Sequence, residues 1–181
     1  MARFPTKLDS RDIFDAMPVF ATLVIGSDGS TSKGGSSSAI ASGADRSQFL
    51  ARRRDVDFIL IGGKTARSEP YHRTPVPVVV ASRSMINSLA DNRNAHWWNC
   101  TPVQALERGI KTFGSNVLVE AGATLILDLI NERALDGIYL SITQEKDGDE
   151  KIDYQELLAN FSEITSRDEE GTKFIEARTL K

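Results

Sequence analysis

The chain has 181 residues, with 22 Lys and Arg against 25 Asp and Glu, a formal charge of -3, two histidines and one cysteine. That is the size of a single ordinary domain, and a 40% hydrophobic content is enough for a sizeable core and argues against disorder. One Cys with the separated His72 and His96 excludes an internal disulfide and a local four-ligand zinc site, and the acidic balance lacks the basic excess that drives nucleic-acid binding. No apolar run approaches the roughly 18 residues of a membrane span, and the charged opening from Met1 to Pro18 reads as a leader arm without a signal peptide, so a cytoplasmic protein is expected.

Val19 to Ile25 is an apolar, β-branched run and reads as a buried strand. Gly26 to Gly43 is rich in Gly and Ser and reads as a long functional loop within the domain. Ser42, with Asp45 three residues on, marks the start of a helix to about Arg54, with Phe49 and Leu50 on its inward face and Arg52-Arg53-Arg54 as a solvated end. Val56 to Ile61 is a second buried strand, followed by Gly62-Gly63-Lys64-Thr65 and a short helix that Pro70 stops. A strand Val76 to Ala81, a short helix around Met85 to Leu89, a partly buried strand at His96-Trp97-Trp98 with one Trp inward, and a helix Pro102 to Thr112 come next. A strand Asn116 to Glu120 and a helix from Gly122 to Glu132 continue the alternation, which implies a mostly parallel sheet with helices on both faces. Leu135 to Thr143, Phe161 to Arg167 and Thr172 to Leu180 then follow as strands, the last two joined by Asp-Glu-Glu-Gly, a hairpin signal. The expected fold is therefore α/β, with a mixed sheet and a C-terminal antiparallel hairpin, in one domain.

Two strand-to-helix turns consist largely of small residues, Gly62-Gly63-Lys64-Thr65 and Glu120-Ala121-Gly122-Ala123-Thr124. Small residues there let backbone N–H groups approach an anion, although tight helix–sheet packing selects them too. Neither turn matches G-x-G-x-x-G with an acid about 20 residues on. If the strand ending in Gly62 lies beside the one ending in Ala81, then Lys64, Ser82 and Arg83 converge as two cations and a hydroxyl, a composition suited to a phosphate monoester. Arg53 and Arg73 are candidates for a second phosphate across the cleft. Asp28 in Gly-Ser-Asp-Gly is a turn former or a ligand contact, Asp45 reads as a capping-box acid, and Cys100 has no predicted base beside it.

The order of strand, Gly-Gly-Lys-Thr, short helix, strand, Ser-Arg, and later strand, small-residue turn and helix is similar to the dihydrofolate reductase fold. Within that superfamily, Gly26-Ser27-Asp28-Gly29, Ser42-Gly43-Ala44-Asp45-Arg46, Gly62 to Thr65 and Val119-Glu120-Ala121-Gly122-Ala123-Thr124-Leu125 resemble the stand-alone reductase domain of bacterial riboflavin biosynthesis, over about Phe20 to Thr143. The resemblance implies an NADPH-dependent reductase that converts the ribose of a phosphorylated aminopyrimidine to a ribityl chain. It places Val24, Gly62, Gly63, Lys64, Thr65 and Gly122, Ala123, Thr124 and Leu125 at the cofactor, with Ser82 and Arg83 at its adenosine phosphate. It places Glu120 at the substrate, with Ser37, Ser38, Arg53, Arg73 and Asp28 as further candidates for contacts to such a phosphorylated substrate, and it implies a homodimer. An edge of apolar residues, Ile138, Leu140 and Ile142, would also need the cover a second copy gives. The zinc deaminase signature His-x-Glu with Pro-Cys-x-x-Cys is absent. Thr22 stands where many members carry Lys, Ala39 where Trp is usual, and the Pro-Trp and Leu-Pro signature around the pterin-anchoring acid of dihydrofolate reductase itself is missing. Alternatives are a dihydrofolate reductase-like enzyme on another heterocycle and a non-catalytic nucleotide-binding homologue.

Overall fold

The computed structural model describes residues 18–181, so the leader arm expected ahead of Pro18 lies outside the described residues. An eight-stranded sheet runs in the order β5-β4-β3-β6-β1-β7-β10-β9. Its strands are β1 (Val19–Ile25), β3 (Phe58–Gly62), β4 (Val78–Ala81), β5 (Ala95–Trp98), β6 (Val117–Glu120), β7 (Gly137–Ile142), β9 (Phe161–Glu169) and β10 (Thr172–Leu180). The six strands from β5 to β7 are parallel, and β10 runs antiparallel to both β7 and β9. The mixed sheet and its C-terminal hairpin are as the sequence predicts. Glu170 and Gly171 both take positive φ, 49° and 77°, the two-residue turn whose twist suits a hairpin.

Apolar side chains alternate across the sheet and build a core on each face. Ala21, Leu60, Val79, Val119 and Ile138 pack with the helices α3 (Pro102–Phe113) and α4 (Ala123–Asn131) on one face. Ile59, Ile61, Val78 and Val80 pack with Ala66 of α2 (Gly63–Ser68), Tyr71 and Leu89 on the other. The α3 start is a full capping box, Thr101 accepting from the Gln104 N–H and Gln104 reaching back to Thr101, with Pro102 in the first turn.

Four expectations are corrected. Helix α1 (Gly43–Arg52) is capped by Ser42 as predicted, yet its buried residues are Ala44 and Asp45, with Phe49 half-buried and Leu50 40% exposed. Asp45, Phe49, Arg52 and Arg53 follow the i, i+4, i+7, i+8 pattern of one helical stripe, so α1 turns charge inward, toward polar positions of the sheet. The Arg run is consequently no solvated end, because Arg52 and Arg53 are both half-buried and only Arg54 is exposed. No helix forms at Met85 to Leu89. There the Ser82, Ser84 and Asn87 side chains accept from the N–H groups of Ser84, Ile86 and Leu89, each two residues on, and these local bonds replace the helical ladder. Nor is β7 an edge. It lies between β1 and β10 with Ile138 and Leu140 buried, and the outermost strands among the described residues are β5 and β9. On β5 both tryptophans are half-buried, Trp97 against one core and Trp98 against the other.

Four short elements were not foreseen. Within the Gly/Ser loop, β2 (Ser30–Ser32) pairs with β8 (Glu150–Lys151) into a two-stranded flap followed by a 3₁₀ turn at Ser37–Ala39, and α5 (Tyr154–Leu158) precedes β9. Among the described residues no helix is long and apolar enough to cross a membrane, and no cluster of His, Cys, Asp and Glu could hold a metal ion.

Candidate functional site

Three parallel strands end side by side, and their last residues bring the predicted turns together. Gly62 is in register with Ala81, and a Cβ on Gly63 would lie 2.4 Å from Ser82 Oγ, so the β3–α2 turn packs directly on the end of β4. A Cβ on Gly62 would come within 3.2 Å of Leu125, which ties the first turn to the second. Gly63 is thus small for packing. Gly122, the N-cap residue of α4, is different: a Cβ there would meet nothing within 4 Å, so its backbone borders open space. Around this edge Lys64 and Arg83 are exposed, Thr65 is half-buried, and Ser82 is buried with its hydroxyl accepting from Ser84 N–H. Val24 is half-buried near the end of β1. The strands that end just before Lys64 and just before Ser82-Arg83 are neighbours, the adjacency on which the expected convergence of these three residues depends.

On the α1 face lies a buried charged group. Glu120, the last residue of β6, is 3% exposed and accepts from Arg53 Nε at 2.8 Å and Nη2 at 2.6 Å, and from Tyr71 Oη at 2.6 Å. Arg53 follows directly on α1, and its guanidinium lies 4.2 Å from the Phe49 ring centroid and 4.9 Å from that of Tyr71. Burial works against both charges. It pushes the Glu120 carboxyl up despite Arg53, whereas Arg53, which burial alone would lower, is held above its ordinary value by Glu120. The bidentate geometry decides between these opposing tendencies and supports an ionised pair with Arg53 charged. Burial also raises the Tyr71 phenol well above its usual range. Tyr71 was missed by the sequence reading. Its one signal is an aromatic placed directly after the helix-stopping Pro70 in an otherwise polar loop.

The remaining substrate candidates make their contacts elsewhere. Ser37 N–H donates to Glu69 Oε1 at 2.7 Å, Ser36 Oγ donates to the same carboxylate, and Ser38 is exposed. The Asp28 carboxylate is occupied by the flap, accepting from Ser30 Oγ at 2.6 Å and Asp147 N–H at 3.0 Å and pairing with Lys151 at 2.6 Å, contacts that lower its pKa. Lys64 pairs with Glu150 of β8 at 2.5 Å, so the flap also reaches the N-terminus of α2. Arg73 is exposed beside a shallow depression of about 270 Å³ that His72, Asp91 and Arg93 also line. The Asp45 N–H completes the Ser42 cap, while its carboxyl turns onto Ser141 of β7 and is raised by burial. The structure thus brings Arg53 and Glu120 together, and leaves Asp28 in the turn before the flap, Ser37 in the 3₁₀ turn after it and Arg73 at the surface.

Comparison with known proteins agrees with this architecture. Residues 18–143 match the family model of the RibD C-terminal domain, and the chain belongs to that family. Its fold is similar to that of a diaminohydroxyphosphoribosylaminopyrimidine deaminase/5-amino-6-(5-phosphoribosylamino)uracil reductase from Thermotoga maritima, with TM-score 0.69, 14% identity, and coverage of 90% of this chain and 56% of that one. It is similar also to RibD from Acinetobacter baumannii, with TM-score 0.66, 16% identity, and coverage of 91% and 59%. A pyrimidine reductase-like protein from Corynebacterium diphtheriae is matched nearly end to end, with TM-score 0.64, 12% identity, and coverage of 91% and 92%. The chain spans just over half the length of the first two. No curated protein sequence matches it.

Proposed function

We propose that the chain is an NADPH-dependent reductase of the riboflavin-pathway type, transferring hydride to the ribose C1′ of a phosphoribosylaminopyrimidine. The observation that carries this reading is the adjacency of the ends of β4, β3 and β6, from which the exposed Arg83, the exposed Lys64 and, past Glu120, the open backbone of Gly122 follow in turn. These residues suit a phosphorylated dinucleotide: Arg83 and Lys64 would hold a phosphate monoester, Lys64 exchanging Glu150 for it, and the Gly122 turn would receive the pyrophosphate. NADPH, when bound, supplies the hydride. The chain's own task is to orient the ribose through Glu120, which Arg53 holds in place, and to meet the substrate phosphate with an exposed cation, for which Arg73 is the remaining candidate. A homodimer belongs to the same reading, and sedimentation should give twice the 19.9 kDa chain mass.

One observation favours a second reading, reduction of another phosphorylated heterocycle. Thr22 is in register with Glu120, so a neutral hydroxyl stands beside the carboxylate where many relatives carry a lysine. For either substrate the cofactor patch is tested by Arg83→Ala. Losing a charge-assisted contact to phosphate weakens NADPH roughly ten- to hundred-fold while NADH is barely affected. Equal loss for both in a fluorescence titration would remove Arg83 from the site.

A further inference from the structure

Acceptor positions on Glu120 limit what this carboxylate can offer a ligand. Each carboxylate oxygen has about two lone-pair positions. Among the described residues Oε1 accepts one hydrogen bond, from Arg53 Nε, whereas Oε2 accepts two, from Arg53 Nη2 and Tyr71 Oη. Oε2 is therefore full and Oε1 keeps one place. Tyr71 is firmly seated: it is 3% exposed, packs in the core with Ile59, Ile61, Val78 and Val80, and its carbonyl accepts from the buried Asn92 Nδ2 at 2.7 Å. Two residues before it, Glu69 is fastened to Ser36 and Ser37.

We infer that Tyr71 is a positioning residue for Glu120: it fixes the orientation of the carboxylate and closes Oε2, so that a ligand meets Glu120 through a single donor at Oε1. This rests on the substrate role proposed above for Glu120. One ribose hydroxyl or one exocyclic N–H meets the requirement, whereas a paired N–H edge that needs both oxygens does not. A core-filling role alone would be met equally well by phenylalanine, so the hydroxyl separates the two roles. The charged and titratable groups facing Glu120 are Arg53, from the end of α1, and Tyr71, from the loop after α2. Both favour the carboxylate, so deleting the phenolic hydroxyl should raise the pH at which Glu120 ionises.

The test is Tyr71→Phe in the full chain, with two readouts. The first is a ¹³C-carboxyl NMR titration of Glu120 in the ligand-free protein, its signal assigned by loss in Glu120→Gln. The second is steady-state kinetics with NADPH and 5-amino-6-(5-phosphoribosylamino)uracil. The Glu120 midpoint should move to higher pH, and kcat/KM should fall roughly tenfold while NADPH affinity stays within about threefold. An unchanged midpoint, or an unchanged kcat/KM where Glu120→Gln is impaired, overturns the inference and leaves the proposed function standing. Wild-type protein that binds NADPH but does not turn over this substrate overturns the substrate reading, and the inference falls with it.

Discussion

Arg52 and Arg53 are neighbours at one helix end, and both fold inward, yet they meet different fates. Arg53 finds a carboxylate in bidentate geometry, and that carboxylate is completed by a phenol. Arg52 lies 4.0 Å over the Tyr139 ring, its Nη1 buried without an acceptor among the described residues, and burial lowers its pKa. An acid is present on the same helix, but Asp45 turns to Ser141 and makes no salt bridge to either arginine among the described residues, acting on Arg52 only through its field. The contrast shows that geometry, more than the inventory of charges, decides whether burying an ion is tolerable. A matched cluster is stable and unforgiving, and a mismatched one leaves room for improvement.

The largest expected effect follows from breaking the matched cluster on one side. Arg53→Met strands a buried carboxylate and should cost about 3–5 kcal/mol, read as a lowered urea midpoint with unchanged slope. The triple variant Arg53→Met, Glu120→Leu, Tyr71→Phe removes every polar partner together and should return to within about 2 kcal/mol of wild type. A triple variant no more stable than the single one would show that the cluster's worth is in packing and not in charge compensation.

The contrast also explains how far the chain could be read in advance. The ends of β1 and of β10 are predicted to the residue, because β-branched runs bounded by Pro18, Gly26 and Gly171 leave few alternatives. The neighbouring turns at Gly62 and Gly122 and the placement of Lys64 and Ser82-Arg83 after adjacent strands follow from strand order, which a parallel alternating pattern largely dictates. Apolarity points to the wrong face of α1, because the sheet beneath presents Thr22, Glu120 and Ser141. The pairing of Arg53 with Glu120 spans 67 residues, and Tyr71 carries no periodic signal, so neither contact is encoded locally. The flap rests on two short polar strands whose pairing has no hydrophobic alternation to announce it.

In the mismatched region Asp45 should give an effect of intermediate size. Burial raises its folded-state pKa above the unfolded value of about 3.8. Below that pH both states are protonated and no penalty exists. As pH rises through the unfolded value toward the raised folded one, the unfolded chain releases its proton first and stability falls; above the folded value the loss is constant. Asp45→Asn keeps an acceptor for Ser141 without this titration, so it should match wild type near pH 3 and exceed it at pH 7 by about 1 kcal/mol. Chemical denaturation at the two pH values checks this. A variant less stable at pH 7 than wild type would mean that the charged form of Asp45 is stabilised, for instance by Arg52.

Arg52 should show the smallest change, and its sign is informative. Replacing it by methionine keeps a long flexible stem over Tyr139 and along the cavity of about 120 Å³ that Thr165, Arg167, Phe174 and Glu176 also line. The substitution gives up a cation–π contact of about 0.5–1 kcal/mol and relieves a buried unpaired donor that costs about 1–3 kcal/mol. Arg52→Met should therefore be neutral or stabilising by up to about 1 kcal/mol, while Arg52→Ala, which also loses the stem, should fall below Arg52→Met. Thermal unfolding of the two variants separates the terms. If Arg52→Met proves as harmful as Arg53→Met, then Arg52 has a matched partner after all, and the two neighbouring arginines differ less than their geometry indicates.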